Sequence, residues 1–162
     1  MPNFLEQLVA EWYEYQGYFV RRNIRVVKRQ NGGHDFELDI VALHAHDRHL
    51  VHVEATMDTN TWDRRREKME RTFVAARRYI PSLFPGFSEL PEPEHIALLG
   101  FGSNTKVQTI GLGRVQTLNE LMADIRRSDI MERYGKKAVP EQYVILRAMQ
   151  FAATCWSVPR LS

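Results

Sequence analysis

Residues 32–56 read GGHDFELDIVALHAHDRHLVHVEAT, two short apolar runs joined by a polar turn. The runs, 38–43 and 50–56, are rich in Val, Ile and Leu and short enough to be strands rather than helices. The connector, Ala45-His46-Asp47-Arg48, fits a hairpin loop, although no Asn-Gly or Asp-Gly pair dictates its type. A hairpin symmetric about the His46–Asp47 bond sets Asp39 opposite Glu54, because cross-strand partners share a face. That face also pairs Glu37 with Thr56, Val41 with His52 and Leu43 with Leu50. The other face pairs Leu38 with Ala55, Ile40 with Val53 and Ala42 with Val51, and is wholly apolar. Like charges placed directly opposite are destabilising. A divalent cation between the two carboxylates would remove that repulsion, and hard cations take oxygen ligands. A slip of one residue would send the acids to different faces, so everything here depends on register.

The rest of the chain sets bounds. Its 162 residues suit one domain with a core large enough to fold without staples. Net charge is +2, from 22 basic and 20 acidic residues, so the sum does not demand a nucleic-acid partner. Local clustering of positive charge matters more. A single cysteine, Cys155, excludes an intramolecular disulfide and suits a reducing, cytoplasmic setting. No apolar run reaches the roughly 18 residues needed to span a membrane. The N-terminal residues lack the basic-then-apolar order of a secretory signal.

Spacing predicts a first helix over 2–16, with Asn3 as N-cap, Glu6 closing a capping box and Gly17 as C-cap. A strand over 18–27 follows, then a glycine-containing loop over 30–35 that carries His34 and Asp35. Asp58, Thr59 and Asn60 introduce a second helix over 61–80, which Pro81 ends. Its stripe is Trp62, Met69, Phe73, Ala76 and Ile80. The remainder is strongly basic, with Arg64, Arg65, Arg66, Lys68, Arg71, Arg77 and Arg78. A proline-rich loop over 82–94 leads to an apolar strand over 95–101 and a turn over 102–106. A further strand over 107–116 is interrupted at Gly111 and Gly113. Thr117 and Glu120 form a second capping box before a helix over 118–130. Pro140 starts a last helix over 141–156, apolar on more than one face and suited to core or to a protein contact. The order is that of an α/β domain with a mixed sheet whose first three strands form a meander.

These residues resemble the PD-(D/E)XK nuclease superfamily, the restriction-endonuclease-like fold. The likeness rests on helical Glu6, then Gly17-Tyr18-Phe19, the glycine loop, Glu37-Leu38-Asp39-Ile40-Val41-Ala42 and Val51-His52-Val53-Glu54-Ala55-Thr56, in that order over roughly residues 4–100. It is closest to the Holliday-junction-resolvase and Mrr-like branches. The resemblance implies a three-layer domain with a central mixed sheet flanked by helices. On it, one domain spans 1–162, with a core of about 4–116 and a C-terminal helical extension of about 117–162. It implies Glu6, Asp39 and Glu54 as ligands of Mg²⁺ or Mn²⁺, with Asp39 and Glu54 catalytic in the hydrolysis of DNA phosphodiesters. The family usually places Lys two residues after the second acid, where this chain has Thr56. A cation there orients water and stabilises transition-state charge, which threonine cannot do. In some members the basic role moves to the following helix, where Lys68 and Arg65 are the candidates. Many nucleases of this fold are dimers, so a homodimer is compatible with the likeness.

Other residues have competing assignments. Glu6 is accounted for as a capping glutamate alone, and Glu11 and Glu14 are further acids on its helix. His44, His46, His49 and His52 suggest zinc, yet histidines near a turn are commonly plain polar residues. His52, on the face of Glu54, is a supporting group, as are Thr56 and, from the loop, His34. The basic helix suits phosphate contact through Arg64, Lys68 and Arg71, joined by Arg21 on the first strand beside Arg22 and Arg25. Two further function classes stand beside the nuclease. One is an inactive domain of the same fold that binds nucleic acid or a protein. The other is a structural subunit that assembles through its last helix.

Overall fold

A computed structural model describes residues 3–57, 61–100, 106–131 and 137–156. Its elements are α1 (Phe4–Tyr15), β1 (Phe19–Lys28), β2 (His34–His44), β3 (His49–Thr56), α2 (Trp62–Tyr79), β4 (Glu94–Leu99), β5 (Thr109–Ile110), β6 (Gly113–Thr117), α3 (Leu118–Arg127) and α4 (Val144–Trp156). The six strands form one mixed open sheet in the order β1-β2-β3-β4-β6-β5. β1, β2 and β3 are an antiparallel meander, β3, β4 and β6 run parallel, and β5 returns antiparallel to β6. None of the described helices is long and apolar enough to cross a membrane.

Local signals explain the frame. Asn3 accepts the Glu6 N–H at 2.9 Å, and the Glu6 carboxylate returns to the Asn3 N–H, completing the capping box on α1. Gly17 follows the helix with φ +92°, a conformation a side chain would strain. Thr117 and Glu120 repeat the box on α3. The central hairpin has the predicted register from the turn as far as Ile40: Ile40 pairs with Val53, Val41 with His52, Ala42 with Val51 and Leu43 with Leu50. The expected pairs Asp39–Glu54, Leu38–Ala55 and Glu37–Thr56 are not part of the ladder.

Two cores sandwich the sheet. Ile40, Val51, Val53, Ala55, Ile96 and Leu98 pack with Leu5, Leu8 and Val9 of α1, Leu121 and Ile125 of α3, and Leu146 of α4. The opposite face buries Val41, Leu43 and Leu50 with Ala76 and Ile80, and Ala97 and Leu99 with Met69 and Phe73. Gly113 is needed there, since a Cβ would lie 2.3 Å from the Phe73 ring. Glu11 ties α1 to α4. Fully buried, its Oε2 accepts the Ile145 and Leu146 N–H groups at 2.8 and 3.1 Å. The carboxylate thus caps the start of α4 from another helix.

The structure corrects several boundaries. β2 begins at His34, because Lys28 pairs with it and the ladder runs on past the expected loop. The last helix begins at Val144; residues 140–143 form a turn closed by Tyr143 N–H to the Pro140 carbonyl at 3.1 Å. α3 stops at Arg127 and a 3₁₀ turn, Asp129–Met131, follows. The interrupted strand is a hairpin, β5–β6. The N-cap candidates 58–60 and most of the turn at 102–106 lie outside the described residues; Thr61 precedes α2 without a side-chain cap bond.

One correction bears on the site. Leu38 packs with Ile24 and Val26 in the α2-side core, not with Ile40 on the other face. The alternation therefore breaks at Asp39. Opposite it, Asn23 has φ +50°, and the β1–β2 pairs skip both residues. A left-handed residue turns the strand out of its pleat, which is why strict alternation fails here.

Candidate active site

Beyond the Ile40–Val53 pair the β2–β3 ladder gives way to side chains. Ala55 N–H donates to Asp39 Oδ2 at 2.9 Å, and Asp39 N–H donates to Glu54 Oε1 at 3.3 Å. Each acid thus holds the opposing strand through its carboxylate, and the pair sits where the strands part. A cavity of about 430 Å³ opens there, lined by Glu6, Asp39, Glu54, Thr56, Arg64, Arg65 and Lys68. A second, of about 500 Å³, shares Glu6, Asp39, Arg64 and Lys68 and adds Arg71, Asp35 and Glu37. Glu6 comes from α1, across the sheet from α2, yet reaches the same space at the break in the sheet.

The electrostatics are unusual for a hairpin. Glu54 is 5% exposed. Burial pushes its carboxyl up to about 8, against the pull of the Asp39 N–H and of Lys68. Asp39 is likewise pushed up to about 8, by burial first and then by the Glu54 charge. Among the described residues no Lys or Arg lies within ion-pair distance of either acid. Behind Glu54, His52 Nε2 meets Oε1 at 2.9 Å and His52 Nδ1 meets His95 Nδ1 at 3.0 Å. Burial drives His52 down to about 3 and His95 to about 4, so both imidazoles are neutral near pH 7.

The basic candidates differ. Lys68 lines both cavities and its charge pulls down both acids. Arg65 lines only the first; it lies over the Trp62 ring at 5.7 Å, and its Nε is buried without a partner among the described residues. Arg71 lies over Phe36 at 5.8 Å. Two predicted residues are not brought to the site. Arg21 donates to the Leu83 carbonyl at 3.0 Å, outside both cavities. His34 is exposed at the far end of β2, opposite Lys28. Arg22 is spent on Gln7 and Glu14, and Arg25 pairs with Glu37. Sequence reading missed Asn23, which donates to Glu6 Oε2 at 3.3 Å, and His95. Neither carried a spacing signal, since Asn23 meets Glu6 of α1 from β1 and His95 meets His52 across the β3–β4 pairing.

Asp39 Oδ1 and Glu54 Oε2 have no hydrogen-bond partner among the described residues. Two neighbouring, uncompensated carboxylates with one spare oxygen each suit a hard cation that keeps several waters. Glu6 is otherwise engaged, by Asn3 and Asn23. Among the described residues no group of three or more His, Cys, Asp or Glu is arranged as a metal centre. The turn histidines have other partners: His44 meets Asp47, and His49 bridges Tyr18 and Glu94.

No protein-family model, curated protein or solved structure matches the chain. Function is therefore argued from the site alone.

Proposed function

We propose that this chain is a divalent-cation-dependent deoxyribonuclease with a restriction-endonuclease-like fold. The observation that carries this reading is the meeting of Asp39, Glu54 and the cationic wall of α2 in one cavity. Asp39 and Glu54 would hold Mg²⁺ or Mn²⁺, with Glu6 beside them. When bound, such an ion supplies a Lewis acid and an activated water. Lys68 takes the place of the motif lysine that Thr56 lacks, and Arg65 is the alternative. Arg64 and Arg71 flank the acids along the two joined cavities, where they can hold phosphates on either side of a scissile bond.

The test is incubation of plasmid, linear and branched DNA with Mg²⁺ or Mn²⁺, beside Asp39→Ala and Glu54→Ala. Cleavage that those substitutions leave unchanged excludes the site. A second reading has its own support. Thr56 stands in the lysine position, and Glu6 is tied into its capping box. Both favour an inactive fold that binds nucleic acid through α2, which would show as binding without cleavage under every metal.

A further inference from the structure

β3 and β4 pair in parallel, which sets His52 against His95. Their Nδ1 atoms lie 3.0 Å apart, so only one of the two carries the proton of that bond. On its other side, His52 Nε2 lies 2.9 Å from Glu54 Oε1. His95 Nε2 is buried and without a partner among the described residues. Two proton arrangements fit the distances. In the first, His95 Nδ1–H donates to His52, His52 Nε2–H donates to Glu54, and His95 Nε2 is a bare nitrogen. In the second, which holds one proton more, His52 Nδ1–H donates to His95 Nδ1, a protonated Glu54 donates to His52 Nε2, and His95 carries a buried Nε2–H with no acceptor among the described residues. An orphaned buried N–H is the rarer and costlier outcome. Phe73, whose ring lies 5.1 Å from His95 and 5.5 Å from His52, offers neither a conventional acceptor nor a donor.

We propose that His95 is a positioning residue for the acid pair: its Nδ1–H locks His52 in the Nε2–H form, which grips Glu54 by Oε1 and leaves Oε2 for a divalent cation. The cation rests on the function proposed above; the proton arrangement stands without it. Second groups of this kind orient a ligand and fix its tautomer, and their loss weakens metal binding about 10–100-fold.

Two measurements on the full chain separate the parts. Long-range ¹H–¹⁵N correlation of the imidazole rings, without metal, is expected to show His52 as Nε2–H and His95 as Nδ1–H. A His52 Nδ1–H form overturns the arrangement. Mn²⁺ affinity, read by electron paramagnetic resonance, is expected to fall about 10–100-fold in His95→Leu. In His95→Asn, whose amide nitrogen replaces Nδ1, it should be largely retained. Equal affinity in His95→Leu and the wild type overturns the positioning role. Should His95→Leu not fold, His52→Gln against His52→Leu poses the same question, the Gln amide replacing Nε2. A wild-type protein that binds no Mn²⁺ overturns the cation role, while the tautomers still decide the His95–His52–Glu54 chain.

Discussion

Glu11 and Glu54 are both buried carboxylates, and their surroundings treat them in opposite ways. Glu11 is met by two N–H groups at the start of α4 and by the Gln7 amide at 2.8 Å. The positive end of a helix and three donors offset the loss of water. Glu54 has His52 and one backbone N–H, both on Oε1, with a second carboxylate beside it. A compensated buried acid belongs to the frame. An uncompensated one is held protonated by its burial until a cation or a solvent path offsets the charge, and groups shifted in this way concentrate at functional sites.

Removing each acid should therefore have opposite consequences. Glu54→Ala and Asp39→Ala are expected to lower cleavage at least about a hundredfold. Each also leaves a backbone N–H without its acceptor, and the relieved repulsion offsets part of that cost, so stability should fall less than in Glu11→Ala. Nicking rates and urea melts on the same samples would show it. Full activity in either variant ends the proposed chemistry.

Glu11→Ala should do the reverse. Two buried N–H donors lose their acceptor, at about 1–3 kcal/mol each, so stability is expected to fall by about 3 kcal/mol. Cleavage by the fraction still folded should be near normal. A variant that melts like the wild type would mean that water replaces the carboxylate, and the contrast between the two glutamates would lose half its basis.

The next effect is on pH dependence. Both site carboxyls titrate higher folded than unfolded, up to about 8. Between about pH 4 and that value the folded state binds more protons, so metal-free stability falls as pH rises. A decline of about 1–2 kcal/mol is expected, less than rigid burial would give, because relaxation and water soften the cost. Melts in chelator at stepped pH would read it. Asp39→Asn should flatten the slope and Mg²⁺ should reverse it. A slope that survives both changes belongs to other groups.

How much of this was written in the chain depends on range. The hairpin register was legible because side-chain alternation and a four-residue connector leave few choices. Both capping boxes were legible because each spans three residues. Glu11 was not: its partners Ile145 and Leu146 lie more than 130 residues away. The break at Asp39 hid for a related reason, being tied to the left-handed backbone of Asn23 on the neighbouring strand. That Asp39 and Glu54 lie close together was legible from the strand spacing. That Glu6 shares their cavity while remaining in its capping box could be judged only once the sheet and α1 were packed.

The smallest effect concerns the lysine that the proposed nuclease reading expects at position 56. Lys68 lies close enough to pull both acids down, yet it comes from α2 and not from the strand end where Thr56 lines the cavity. If its ammonium does the work of the motif lysine, Lys68→Ala should slow cleavage about tenfold. Thr56→Lys alone should then add little, because the charge is already supplied. In the Lys68→Ala background, however, Thr56→Lys should recover most of the loss. Such non-additivity is expected only of groups that act on the same point. Independent, additive effects would place Lys68 on substrate phosphates instead. In that case its loss should raise the DNA concentration needed for half-maximal rate and leave the rate at saturation unchanged.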